Sequence, residues 1–185
     1  MDTVRLPKMD QNEIMPPDIW TIGHSTRSLE DFIGMLNSFE IKQLVDVRHF
    51  PGSRKFPHFS KDQLCESLAE AHIQYEHLVQ LGGRRKSKPD SPNTAWRHPA
   101  FRGYADYMET DPFREGLSNL EQFARNERTA FMCSEAVWWR CHRALISDVL
   151  KVKGWRVQHI MDVGKTKEHP FTAPARVIDG KLLYS

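Results

Sequence analysis

The segment Cys133-Ser-Glu-Ala-Val-Trp-Trp-Arg-Cys-His-Arg143 gathers two thiols, an imidazole, a carboxylate and two guanidinium groups in one stretch. A cysteine that ends a strand just before a helix can have its thiolate stabilised by the helix dipole and by nearby cations. Arg140, His142 and Arg143 supply such cations, and Glu135 can hold a proton or orient a base. An isolated buried cysteine is an ordinary small core residue. The crowding of Glu, His and Arg around Cys133 and Cys141 favours a functional reading of both.

Spacing excludes one chemistry. A phosphate-wrapping thiolate loop separates cysteine and arginine by five residues, so that backbone amides ring the anion. Cys133 and Arg140 are separated by six, and the stretch between them has no glycine. Thiol chemistry survives this test, but a standard phosphatase or rhodanese loop does not. Cys133, Cys141, His142 and His24 are residue types that bind zinc. No tight Cys-x-x-Cys pair accompanies them, so no metal is assigned, and the sequence names no cofactor.

Other segments carry polar residues suited to the same site. Gly23-His24-Ser25 reads as a tight strand-to-helix turn whose amides can meet an anion. It lacks the three spaced glycines of a dinucleotide fingerprint. Asp46, Arg48 and Arg54 follow a second strand, and Gly82-Gly83-Arg84 a third. Arg48, Arg54, Lys55, Arg84, Arg85, Lys86, Lys88, Arg97 and Arg102 make these loops basic, while acids concentrate on predicted helices. Phe50, Phe56, Phe59, Trp96, Trp138 and Trp139 are interleaved with the loop cations. Arginine with aromatics can clamp phosphates and stack on bases, so an anionic ligand is expected.

The elements that must position these groups follow from hydrophobic period and caps. Strands are predicted over Ile19–Ile22, Ile41–Val47, Gln74–Leu81, Thr129–Met132 and Trp155–Met161. Helices are predicted after Ser28 and after Ser60, each opening with a capping box, over Phe101–Met108, after Asp111-Pro112, and over Trp139–Val152. Residues 84–101 read as a long polar loop, and residues 176–184 as a hairpin turning at Asp179-Gly180. Alternating strands and helices imply an α/β, Rossmann-like three-layer domain with a mostly parallel sheet and a small C-terminal hairpin. In such sheets ligands bind beyond the carboxyl ends of the strands, where nearly all of these reactive residues fall.

Bulk properties bound the rest. The 185 residues suit a flexible tail over residues 1–18 and one domain over 19–185. A net charge of +2 does not announce a nucleic-acid binder. Three cysteines are no disulfide framework, and a cytoplasmic, reducing setting is expected. No signal peptide or membrane span is apparent, and oligomeric state is not readable.

Taken together, Thr21-Ile-Gly-His-Ser25, Val45-Asp-Val-Arg48 with Pro51 and Ser53-Arg54, Leu81-Gly-Gly83, and Cys133-Ser-Glu135 with Cys141-His-Arg143 resemble the domain-of-unknown-function family number 488. The resemblance runs from about Trp20 to Asp162 and implies a compact α/β, Rossmann-like domain without implying an activity. Trp138-Trp139 departs from the family's more polar stretch at that place.

The leading expectation is an enzyme acting on an anionic, phosphate-bearing or nucleotide-like ligand. Cys133, Glu135, Cys141, His142, His24 and Asp46 are its catalytic candidates. Gly23, Ser25, Arg48, Arg54, Gly82, Gly83, Arg84 and Arg143 are its ligand-binding candidates. The rivals are a non-catalytic nucleotide- or nucleic-acid-binding module, a metal- or haem-binding protein, and a scaffold in which Asp46 and Glu135 merely pair with Arg48 and Arg143.

Overall fold

The computed structural model describes residues 16–185 apart from residue 53. The expected tail therefore falls almost wholly outside the described residues, as does Ser53 of the family motif. Asp18 does not belong to a tail. It opens strand β1 (Asp18–Gly23), where its carboxylate pairs with Arg156.

The next elements are α1 (Leu29–Asn37), β2 (Gln43–Asp46), α2 (Lys61–Glu70), β3 (Gln74–His77), α3 (Pro99–Tyr107) and α4 (Asp111–Asn126). They are followed by β4 (Thr129–Cys133), α5 (Arg143–Val152), β5 (Arg156–Asp162) and β6 (Lys165–Glu168). A hairpin of β7 (Arg176–Ile178) and β8 (Lys181–Leu183) closes the chain. The main sheet has the order β3-β2-β4-β1-β5-β6, parallel except for β6, which runs antiparallel to β5.

Alternation along the strands sorts their side chains into two cores. Trp20, Ile22, Leu44, Ala130 and Met132 pack with Phe32, Leu36, Leu64 and Leu68 of α1 and α2. Ile19, Val45, Phe131 and Val157 pack with residues of α3, α4 and α5 on the opposite face. The result is the three-layer, Rossmann-like architecture that the sequence predicts. Among the described residues no helix is long and apolar enough to cross a membrane.

Local chemistry explains where the elements match expectation and where they differ. The Ser28 hydroxyl accepts the Asp31 amide at 3.0 Å, as an N-cap should. Ser60 stands at the same place before α2 but makes no side-chain cap bond. There the first helical amide, that of Lys61, donates to Pro51 O at 3.1 Å. Ser28→Ala should therefore cost about 1 kcal/mol and Ser60→Ala less than about 0.5 kcal/mol in urea unfolding. Equal losses would show that both hydroxyls cap.

The helix expected from Trp139 begins only at Arg143, because Trp138–Arg140 form a separate 3-10 turn and Cys141 is extended. The predicted third strand likewise stops at His77, and Val79–Leu81 turn as a 3-10 helix. Strand β6 was not anticipated. The terminal hairpin turns where expected, with Asp179 and Gly180 both at positive φ.

Candidate functional site

Strand β4 lies between β2 and β1, yet its connection leads to α5 on one face while both neighbours lead to helices on the other. Adjacent loops that part in this way open a crevice at the strand ends, and Cys133 stands there as the last residue of β4. The loop beyond it is tied to β1: His24 and Ser25 donate their amides to Cys133 O and Ser134 O at 3.1 and 2.9 Å. Gly23 is required at this crossing. A Cβ on it would stand 1.8 Å from Glu135 O and 2.9 Å from an Arg143 guanidinium nitrogen.

The floor of the crevice joins the two cysteines to one histidine. Cys133 Sγ, Cys141 Sγ and His142 Nδ1 all lie within 4.8 Å of one another. The sulfurs are 4.0 and 3.6 Å from Nδ1. On the far side of the ring, His142 Nε2 lies 2.9 Å from Val47 O. A carbonyl can only accept, so Nε2 carries the hydrogen and Nδ1 turns a lone pair toward the thiols. Hydrogen bonding between the thiols, followed by burial, pushes the Cys133 thiol up. Burial also raises Cys141, but the Cys133 bond and the Arg143 charge outweigh it and bring Cys141 down. Arg143 thus favours negative charge on Cys141.

Arg143 is one of the largest fully buried side chains. Its Nη1 donates to Thr21 Oγ1 at 3.1 Å and its Nη2 to Glu135 O at 2.6 Å. Its amide faces Cys141 Sγ at 3.5 Å. Its partner in the loop is thus the backbone carbonyl of Glu135, while the Glu135 residue itself is exposed at the mouth.

Asp46 and Arg48 form a buried pair. Arg48 Nη2 and Nε reach the carboxylate at 2.6 and 2.9 Å, Tyr75 OH adds a bond at 2.7 Å, and Arg48 Nη1 donates to Phe59 O at 2.8 Å. His24 stacks on Phe59 with ring centroids 4.2 Å apart and bonds Ser25 O through Nδ1 at 2.9 Å. That bond leaves Nε2 as an acceptor. Burial lowers His24 to about 4, against the raising effect of the Ser25 bond, so the ring is neutral near pH 7.

A cavity of about 1090 Å³ opens over this floor. Its wall includes His24, Ser25, Arg48, Gly83, Arg84, Cys133, Glu135, Cys141 and His142. Gly23, Asp46, Gly82 and Arg143 support the wall from behind, and Arg54 is exposed outside it. Of the other basic loop residues only Lys55 joins the lining, while Arg85 lies over the Tyr107 ring at 3.6 Å. Arg140, Tyr104 and Phe101 line the cavity without having been singled out as ligands. The long loop is less free than its composition suggests. Asp106 of α3 accepts the Lys88 amide, Ser91 Oγ and Asn93 Nδ2 at 2.7, 2.5 and 2.8 Å.

Sequence reading also missed a buried polar chain behind the floor. Thr21 Oγ1 meets His159 Nδ1, His159 Nε2 meets His169 Nδ1, and His169 Nε2 meets Asp148 Oδ1, each at 2.9 Å. Asp148 also accepts from Thr172 N, Thr172 Oγ1 and Tyr184 OH. Since the carboxylate accepts and Arg143 only donates, every hydrogen in the chain points from Arg143 toward Asp148. His159 stands in the middle of β5, and Asp162 is exposed at its end. No local motif announces such a chain, because its members come from β1, α5, β5 and the segment after β6, and Thr21 and His159 are 138 positions apart.

A family model described as "Domain of unknown function DUF488" matches residues 28–150. The Thr21–Ser25 motif precedes that range. Comparison with curated proteins found no match, and comparison with solved structures found none.

Proposed function

The chain belongs to the DUF488 family, and for it we propose an enzyme that binds an anionic, phosphate-bearing or nucleotide-like molecule in the cavity and acts on it at the Cys133–Cys141–His142 floor. The carrying observation is the charge of the wall. Arg48, Lys55, Arg84 and Arg140 line a cavity large enough for a small ligand together with one carboxylate, Glu135. Cations in a concave wall focus their field on an incoming anion. Arg48 is already paired with Asp46, so Lys55, Arg84 and Arg140 carry most of the attraction. His24 Nε2 is an accepting nitrogen in the buried wall, a weak base that can orient a donor on the ligand, and Glu135 serves as the second acid–base group. Phe50 and Phe101 offer ring faces to a base or sugar.

Inorganic pyrophosphate is a suitable probe of the anion site. Titration calorimetry should show binding that weakens with salt, and the Lys55→Glu/Arg84→Glu variant should bind at least about tenfold more weakly. Equal affinity in both proteins would remove the anion reading. Turnover of p-nitrophenyl phosphate or p-nitrophenyl acetate, lost in Cys141→Ser, is expected of an enzyme. Pyrophosphate binding without turnover of either ester would instead favour the non-catalytic nucleotide- or nucleic-acid-binding module.

A further inference from the structure

The geometry points to a zinc site made by Cys133 Sγ, Cys141 Sγ and His142 Nδ1, with its fourth position open to the cavity. A tetrahedral ion with bonds of about 2.3 Å to sulfur and about 2.0–2.1 Å to nitrogen spaces its ligand atoms roughly 3.5–3.8 Å apart. The Cys141 Sγ–Nδ1 distance of 3.6 Å matches the sulfur–nitrogen spacing of about 3.5–3.6 Å in such a site, and the Cys133 Sγ–Nδ1 distance of 4.0 Å is about 0.4 Å longer. All three ligand atoms lie within 4.8 Å of one another, so small side-chain adjustments complete the set.

The surroundings have the form that metal ligands need. Metal-bound histidines donate their other ring N–H to a carbonyl or carboxylate, which fixes the tautomer. His142 does this toward Val47 O at 2.9 Å. The Arg143 amide faces Cys141 Sγ, and its buried guanidinium adds positive charge beside the thiols. Gly83 keeps space beside the ligating nitrogen, since a Cβ there would come within 3.0 Å of His142 Nδ1. The neighbouring elements also hold the ligands in place. Cys133 is fixed by the β1 pairing of β4, and Cys141 and His142 by the turn before α5.

Two thiolates and one imidazole are a zinc-selecting donor set, and three protein ligands leave a position for water or substrate. Binding takes both sulfurs as thiolates, releases to solvent the protons they still hold, and forms two zinc–sulfur bonds and one zinc–nitrogen bond with no redox change. All three ligand residues line the cavity, so the open position faces the space assigned to the anion. Spacing along the chain hides the site, because the ligands come from a strand end and from a loop instead of a Cys-x-x-Cys knuckle. His24 is not among the clustered ligand atoms.

The full chain, purified under reducing conditions with added zinc and then desalted, should retain one zinc by elemental analysis. Cys133→Ser, Cys141→Ser and His142→Gln should each weaken zinc retention at least about a hundredfold in chelator competition. Cys65→Ser should leave it unchanged, because Cys65 is exposed on α2. Circular dichroism identifies any variant that fails to fold. In that event the wild-type cobalt derivative decides, with thiolate-to-cobalt charge transfer and tetrahedral ligand-field bands expected. Wild-type protein that retains no zinc, or an octahedral cobalt spectrum without charge transfer, would overturn the proposal. Zinc retention does not require pyrophosphate binding, so either reading can fail without the other.

Discussion

Asp148→Ala should destabilise the protein by about 3–5 kcal/mol, most of the margin that holds a typical domain folded. Asp148 is completely buried, and its two oxygens accept from His169 Nε2, Thr172 N, Thr172 Oγ1 and Tyr184 OH. Alanine leaves four donors without that acceptor, those of buried His169 and Tyr184 and two on half-buried Thr172, and each abandoned buried donor costs about 1–3 kcal/mol before relaxation. The loss is not confined to one element. Asp148 lies on α5, His169 follows β6, and Tyr184 follows β8, so the carboxylate ties the segments after β6 and after the hairpin to α5. Asp148→Asn tests the mechanism more finely. One amide oxygen still accepts from His169 and Thr172 N, and the amide NH2 can donate to the two hydroxyls once they rotate. The asparagine variant should therefore fall between wild type and alanine in urea unfolding at neutral pH. An alanine variant within about 1 kcal/mol of wild type would mean that the donors find other partners.

That clasp was invisible in the sequence, whereas the crevice in front of it was partly legible. Short runs of β-formers end in Gly23, Asp46 and Cys133, and a parallel sheet sends all such ends to one side, so the site's edge could be inferred. What could not be inferred was the placement of β4 between β2 and β1, since strand order depends on contacts made far along the chain. The same limit hid the Cys133–Cys141–His142 cluster. Tight-pair rules see neighbours in sequence, while the fold brings a strand end onto a loop. Strand β6 escaped because Lys165–Glu168 is wholly exposed and carries no apolar alternation. The sequence pattern starts α5 at Trp139, four residues early, because the 3-10 turn at Trp138–Arg140 holds no glycine or proline to mark a break. The hairpin was legible because two residues at positive φ suit Asp-Gly. Pairing of Asp46 with Arg48 shows that the scaffold rival describes part of the site, although Arg143 takes the Glu135 carbonyl instead of its carboxylate.

Acid should weaken the fold through His159. Burial first, then electrostatic repulsion of a proton by neighbouring His169, Arg143 and Lys167, lower this imidazole from 6.5 to about 2. Between those values the unfolded chain binds a proton that the folded chain refuses. The stabilisation is therefore fully present above about pH 6.5 and is lost progressively as pH falls toward 2. At about pH 4.5, roughly two units below the unfolded value, the loss is about 3 kcal/mol. His159→Gln supplies the test, because glutamine does not titrate and can still donate to His169. The variant should be less stable than wild type at pH 7, having lost a ring that stacks on Trp138 at 4.3 Å and 4°. Between pH 7 and 4.5, however, it should lose about 3 kcal/mol less than wild type in urea unfolding. Parallel pH profiles for the two proteins would rule His159 out as the source. The consequence reaches the cavity through the same stack. Trp138 begins the 3-10 turn that leads into Cys141 and His142, and His159 Nδ1 accepts from the Thr21 hydroxyl that receives Arg143. A proton on His159 removes that acceptor and sets a second positive charge near Arg143, so the floor of the cavity should loosen in acid before the sheet does.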